Sequence, residues 1–214
     1  MKVTLINYSQ TEDGKNLLEQ VAYAARVSNP SNQHNNETAE KLVRYLIKNK
    51  HWSPLEMVNV CLEIETTRDI ARQILRHRSF SFQEFSQRYA DASQLGFEVR
   101  EARLQDLKNR QNSIETDNLE LQEKWNSIQK VLVSNIQTHY EWALENGIAK
   151  EQARSILPEG MTKSRMYMNG TLRSWIHYIQ IRSGIETQKE HREVALACAD
   201  EIESIFPIIT EFIK

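Results

Sequence analysis

The sequence predicts an α+β fold, a single domain over residues 1–214 in which a small sheet is covered by several helices, one of them long. Three observations predict it. Val58, Val60, Leu62 and Ile64 alternate with Asn59, Cys61, Glu63 and Glu65, the period of a strand with one buried face. Leu121, Trp125, Ile128, Leu132, Ile136, Tyr140 and Leu144 recur every three or four residues, a helical stripe of about seven turns. The third is size: 214 residues, 40% hydrophobic and 26% charged, suit one ordinary soluble core.

The elements follow in order. Residues 2–8, KVTLINY, alternate through Val3 and Leu5 and read as a first strand. Leu18, Val21, Ala22 and Ala25 have helical spacing, and SNPSNQHNNE after them is a polar loop in which Pro30 is a breaker and His34 is solvated. Thr38 is placed to cap a helix that buries Ala39, Leu42, Val43 and Leu46, with Lys48 and Lys50 suiting its negative end. His51-Trp52-Ser53-Pro54 stops that helix, and the alternating strand runs from Met57 to Glu65. Thr66 or Thr67 with Asp69 then starts a helix burying Ile70, Ile74 and Leu75, with Arg68, Arg72 and Gln73 turned away from the core.

Gly96–Arg100 reads as a short strand and residues 103–118 as an exposed polar excursion. The long helix begins near Asp117 and closes at Gly147; its length suits a scaffold or a subunit contact, and His139 and Trp142 lie off its stripe. A shorter helix over 148–155 stops at Leu157-Pro158. Met161, Arg165, Tyr167 and Asn169 read as a strand, and Gly170 as a turn into the helix LRSWIHYIQIR, where Arg173, His177 and Arg182 share an edge. Val194, Cys198, Ile202 and Ile205 mark a last helix, and the apolar terminus breaks at Pro207.

Chemistry concentrates in residues 73–89, QILRHRSFSFQEFSQRY. Arg76, His77, Arg78 and Arg88 stand among Ser79, Ser81 and Ser86, one carboxylate (Glu84) and the rings of Phe80, Phe82, Phe85 and Tyr89. A guanidinium meets a phosphate or carboxylate with two parallel hydrogen bonds, hydroxyls fill the remaining oxygens, and aromatic rings exclude water. The residues therefore point to a phosphorylated small molecule. A net charge of −2 leaves no positive field over the whole molecule to gather DNA or RNA. On these residues alone, a phosphate-ligand binding module stays open beside an enzyme, as does a single-stranded nucleic-acid binder using Arg76, Arg78, Phe80 and Phe82.

The same stretch resembles the flavin-dependent thymidylate synthase family. Arg76-His77-Arg78, seven residues and then Ser86 match its RHR-x7-S signature, and the likeness runs on through Arg88 and Tyr89. Gln83 stands where many members have Asn. Three further blocks fall in the family order: His51 to Pro54 (His-x-[ST]-P), Ala153 to Pro158 (A-R-x-x-L-P) and Asn169 to Arg182. Without the resemblance, Ser53-Pro54 is a helix stop and Arg154 a helix-end capping arginine. Some members have two fewer residues between the counterparts of Asn169 and Arg182, and Asn where His177 stands.

The resemblance implies a mostly antiparallel sheet, a homotetramer with active sites built between subunits, and the methylation of dUMP to dTMP. NADPH reduces FAD, and the reduced flavin with methylenetetrahydrofolate supplies the methylene and a hydride. It assigns Gln73, Arg76, Glu84, Ser86, Gln87, Arg88, Arg154 and Arg182 to dUMP, with Arg182 the catalytic residue at the uracil. It assigns Ser53, Arg76, His77, Arg78, Glu84, Asn169, Arg173 and His177 to FAD, with His51 close by, and sets Gln188 and Glu190 near the site.

The remaining composition is consistent with this. Of two cysteines, Cys61 lies inside a strand and Cys198 on an apolar helical face, so neither is placed as a nucleophile, and a reducing cytoplasm is the expected compartment. The histidines form no H-E-x-x-H, so no metal is expected. Six glycines provide neither G-x-G-x-x-G nor a Walker loop, leaving arginines, Asn169 and a subunit interface to hold a flavin. No signal peptide or membrane span is read, and no membrane or nucleic-acid partner is expected.

Overall fold

The long alternating strand finds its partner 104 positions further on, and the two form the centre of the molecule. A computed structural model describes residues 1–214. Strand β2 (Asn59–Thr67) pairs antiparallel with β6 (Lys163–Thr171) in unbroken register from Asn59↔Thr171 to Thr67↔Lys163. Strand β1 (Lys2–Tyr8) flanks β2, and β3 (Ser81–Glu84) flanks β6, giving the antiparallel order β1-β2-β6-β3. Strand β3 was not read from the sequence, although Phe80 and Phe82 alternate with Ser79 and Ser81 there.

Alternation makes the sheet one-sided. Val60, Leu62, Ile64, Met166 and Met168 are buried, while Asn59, Arg165, Tyr167 and Asn169 are exposed on the other face. Helices α3 (Arg68–Ile74), α6 (Leu172–Arg182) and α7 (Lys189–Glu203) bring Ile70, Ile74, Trp175, Ile176, Val194 and Ile202 onto the buried face in one continuous cluster. Each such side chain contributes about 1.5–3 kcal/mol. The Trp175 indole N–H is satisfied inside this core by the Val60 carbonyl, at 3.0 Å.

Helices α1 (Leu17–Ala25) and α2 (Ala39–Lys48) pack together at the side of the core. Asn16 and Glu19 close α1 with a reciprocal capping box. Thr38 stands at the start of α2 but does not cap it, because its hydroxyl accepts from Arg26 at 2.7 Å instead.

Three expectations are revised. Gly96–Arg100 is not a strand; Phe97 alone bridges to Thr162. The excursion over 103–118 carries a small hairpin, β4 (Arg103–Gln105) with β5 (Ser113–Glu115). Gly170 is not a turn, since β6 continues to Thr171, whose side chain caps α6 directly. Glycine stands there for space: a Cβ would lie 2.4 Å from the Phe80 ring, which is itself packed edge-on against Trp175 at 4.8 Å.

The 27-residue helix α4 (Leu119–Glu145) forms where the period predicts it, about 40 Å long. It ends on Asn146 with Gly147 in the left-handed region at φ 78°. The first part of its stripe is not buried in the chain, since Leu121, Trp125, Ile128 and Leu132 are 37–45% exposed, whereas Tyr140 near its end is buried with Ala92, Ala143 and Ala153. Gln122 and Gln129 attach it instead: their amides take both backbone groups of Ala102 and Arg100 at 2.8–2.9 Å, as a neighbouring strand would. Short helix α5 (Lys150–Ala153) follows, and Arg154 begins a 3₁₀ turn.

Gly170→Ala is expected to destabilise the protein by about 1–3 kcal/mol through overpacking against Phe80. Chemical denaturation reads this directly, and Phe80→Leu in the same chain should recover part of the loss. An unchanged midpoint in Gly170→Ala would contradict the assigned contact.

Candidate functional site

Helix α3 stops at Ile74, and the chain turns back through Arg76-His77-Arg78 into β3. The turn is tied by His77 N–H to the Ile74 carbonyl at 3.0 Å and Phe80 N–H to the His77 carbonyl at 3.3 Å. Its far end is anchored by Phe80, buried among Trp175 and Tyr178, so that ring serves the core rather than a stacked base. Arg76 and Arg78 are left exposed, with His77 half-buried between them.

These three side chains form one wall of a cleft of about 690 Å³. Arg173, Ser174, His177 and Gln180, on one face of α6, form the second wall, and Trp52 and Glu56 close the third. The Ser174 hydroxyl donates to the Ser79 carbonyl at 3.2 Å, fixing the first wall to the second. Arg173 pairs with Glu56, the cleft's one carboxylate, so the lining stays cationic. Sequence reasoning had not singled out Trp52, Glu56, Ser174 or Gln180.

Arg182 reaches the site from the end of α6. Its Nε–H donates to His77 Nε2 at 2.9 Å, and its two terminal nitrogens meet no protein acceptor. Burial, and then the charges of Arg182, His177 and Arg76, push His77 down to about 4 from an ordinary 6.5. A neutral imidazole is therefore the acceptor. Gln73 lies nearby in a buried network, its amide shared between His191 at 3.2 Å and Gln188 at 2.8 Å.

The other residues named from the sequence lie outside this cleft. Ser86, Gln87 and Arg88 form a turn against the segment carrying Arg154: Arg88 pairs with Glu151 at 3.5 Å, and Lys150 donates to the Tyr89 carbonyl at 3.0 Å. Gln87 is buried, and its amide nitrogen has no partner. Glu84 accepts from Ser164 at 2.8 Å and pairs with Arg68 and Arg72. Ser53 is exposed beside Trp52, and Asn169 is exposed on the open face of the sheet, opposite Cys61 and Ser81. One chain thus joins the RHR turn to Arg173, His177 and Arg182, and sets Ser86, Arg88 and Arg154 apart in a second basic group.

The arginines differ in their pairing. Arg44, Arg68, Arg72, Arg100, Arg103 and Arg165 all have carboxylate partners, whereas Arg76, Arg78, Arg154 and Arg182 form no ion pair. Cys61 and Cys198 do not line the cleft, and burial pushes both thiols above their ordinary range.

Comparison with known proteins gives concordant results. A family model described as "Thymidylate synthase complementing protein" matches residues 4–208. A probable flavin-dependent thymidylate synthase of Paramecium bursaria Chlorella virus 1 is 50% identical over 200 residues, 93% of this chain and 92% of its own. A flavin-dependent thymidylate synthase of Synechocystis sp. is 50% identical over 215 residues, 98% and 97% of the two chains. The crystal structure of a UMP/dUMP methylase, PolB from Streptomyces cacaoi bound with 5-Br dUMP, superposes with a TM-score of 0.80 at 23% identity, covering 99% of this chain and 93% of that one. At that identity the likeness concerns the fold.

His191 is pushed down to about 3, by burial and then by the charges of Arg182 and His77, so both histidines resist protonation when folded. The unfolded chain binds these protons below pH 6.5, so stability should fall as the pH drops from 6.5 towards 4. Denaturant midpoints at pH 7 and pH 5 should fall less in His191→Phe than in the parent chain; equal falls would contradict the assignment.

Proposed function

The chain belongs to the thymidylate synthase complementing protein family, whose curated relatives are flavin-dependent thymidylate synthases, and from that premise we propose that it converts dUMP to dTMP with FAD as cofactor. Methylenetetrahydrofolate is the proposed carbon donor and NADPH the proposed reductant. The observation that carries the reading is that Arg76, Arg78 and Arg182, at the cleft, have no carboxylate partner in a chain that pairs most of its other arginines. Unpaired guanidiniums beside a cleft are suited to an anionic ligand.

The cleft offers the charge that the FAD diphosphate requires. Arg76, Arg78, Arg173 and His177 supply donors for a diphosphate, Trp52 supplies an aromatic face, and about 690 Å³ is available. His77, half-buried between the two arginines, would contact the flavin as a neutral group. When bound, the flavin supplies the redox step by which the one-carbon unit reaches the uracil as a methyl group.

The protein's own contribution is position and charge. With Nε occupied by His77, Arg182 is left with its terminal N–H edge for the uracil. A guanidinium there stabilises the negative charge that develops as N3 ionises, which enriches C5 in electrons. The neutral His77 orients the guanidinium without adding a competing cation. Ser86 and Arg88 would hold the phosphate, with Gln73, Arg76, Gln87 and Arg154 completing the nucleotide pocket and Glu84 lying between nucleotide and flavin.

Ser53, Asn169, Arg88 and Arg154 lie outside the cleft of their own chain, which favours sites shared between copies. The exposed stripe of Leu121, Trp125, Ile128 and Leu132 on α4 offers an apolar face for such a homotetramer. Neither thiol touches the cleft, so the proposed route uses no cysteine nucleophile. Free thiols suit a reducing cytoplasm, no helix is long and apolar enough to cross a membrane, and no nucleic-acid or metal partner enters the proposal.

Incubation of the protein with FAD, NADPH, methylenetetrahydrofolate and dUMP should yield dTMP; a colourless protein that takes up no FAD and forms no dTMP would contradict the reading. Arg182→Ala should retain flavin and lose about 10²-fold or more in turnover. Arg88→Ala should mainly weaken dUMP, by about 10-fold or more, as expected for a charge-assisted contact. Unchanged dTMP production in Arg182→Ala would remove its catalytic role.

A further inference from the structure

One buried polar chain runs from the core to Gln73, and its inner members, His191 and Tyr178, have no part in the proposed chemistry. His191, in the first turn of α7, is fully buried. Its Nε2 lies 3.1 Å from the Tyr178 hydroxyl and its Nδ1 3.2 Å from Oε1 of Gln73. The Gln73 amide nitrogen donates to Oε1 of Gln188 at 2.8 Å, and Gln188 donates to Glu190 at 2.9 Å. The other oxygen of Glu190 accepts from Arg103.

The sense of every bond in this chain is set from one end. The Glu190 carboxylate, paired with Arg103, acts as an acceptor, so Gln188 must present it an N–H and offer its own oxygen to Gln73. Gln73 must then give an N–H to Gln188 and turn its oxygen to His191. Oxygen cannot donate there, so Nδ1 of His191 carries the proton, and the bare Nε2 accepts from Tyr178. A histidine protonated on both nitrogens would make the Tyr178 oxygen the acceptor and leave the buried Tyr178 O–H without a partner, and one protonated on Nε2 alone would face Gln73 with two acceptors. One tautomer satisfies all four side chains.

We propose that His191 is a positioning residue that locks the amide of Gln73, through its Nδ1–H, so that Gln73 presents its remaining N–H to the uridylate in one sense. This rests on the reading of Gln73 as a dUMP contact. Without the lock, a half-buried glutamine can flip its amide and offer oxygen to an anionic ligand, which repels it. Tyr178 donates to the bare Nε2 of His191 and also takes the His77 ring edge-on at 4.9 Å, so the same hydroxyl-bearing ring supports both Gln73 and the acceptor of Arg182.

The experiment uses the full-length protein loaded with FAD. His191→Phe keeps the ring volume and removes both hydrogen bonds; His191→Gln restores a donor and an acceptor. Calorimetry with dUMP should show affinity weakened by about tenfold in the Phe variant, the loss of one oriented hydrogen bond, and recovered to within about threefold by Gln. KM for dUMP should rise with kcat changed less, while FAD affinity stays as in the parent chain. Nitrogen-15 spectra of the parent chain should show His191 as the Nδ1–H tautomer.

Affinity for dUMP within twofold of the parent in a folded, FAD-binding His191→Phe would overturn the proposal, as would an Nε2–H or doubly protonated His191. Failure of the parent chain itself to bind dUMP would instead overturn the reading of the site, and the inference with it. If His191→Phe does not fold, the tautomer spectrum and His191→Gln decide: an Nδ1–H His191 in the parent chain together with parent-like dUMP affinity in His191→Gln supports the lock, and any other tautomer, or affinity about tenfold weaker in a folded His191→Gln, overturns it.

Discussion

The ladder between β2 and β6 is the constraint from which the site follows. Nine paired positions run without a slip, and one face of both strands is buried. A shift by one residue would turn Val60, Leu62, Ile64, Met166 and Met168 to solvent together. Both strands pass directly into helices, β2 through Thr67 into α3 and β6 through Thr171 into α6. The register that protects the core therefore also sets where those helices begin. Their far ends then meet: His77, just beyond α3, lies 2.9 Å from Arg182 at the end of α6.

Around that meeting point the chain separates two kinds of arginine. Arg100 holds Asp69 with two bonds of 2.8 Å at the start of α3, and Arg68 and Arg72 converge on Glu84. These pairs shape the scaffold. Arg76, Arg78 and Arg182 are kept free of carboxylates beside the cleft, and the group nearest them is a neutral imidazole. A net charge of −2 is thus compatible with a locally cationic site, because the compensating carboxylates are bound to other arginines.

How much of this was legible follows from the reach of each signal. The strand read over Met57–Glu65, which the structure sets two residues later at Asn59–Thr67, and the long helix are local periodicities, and both could be read directly. The RHR turn and the edge shared by Arg173 and His177 were readable from residue types and the family likeness. Gly170 was misread as a turn because the reason for glycine is Phe80, ninety positions away, pressing on its Cα. Strand β3 was hidden beneath the chemistry of its own segment. The exposed stripe on α4 had the pattern of a buried one, since periodicity reports that apolar residues share a face and not what covers that face. Trp52, Glu56, Tyr178 and His191 had no local signal at all; only the fold brings them to the site.

The most direct measurement is a structure of the assembled protein with FAD and dUMP bound. The expected result places the flavin in the cleft lined by Arg76, Arg78, Arg173 and His177, with Arg182 at the uracil edge and Arg88 and Arg154 on the nucleotide, more than one copy contributing to each site. A flavin bound elsewhere, or Arg76, Arg88, Arg154 and Arg182 sharing no cavity in the assembly, would contradict it.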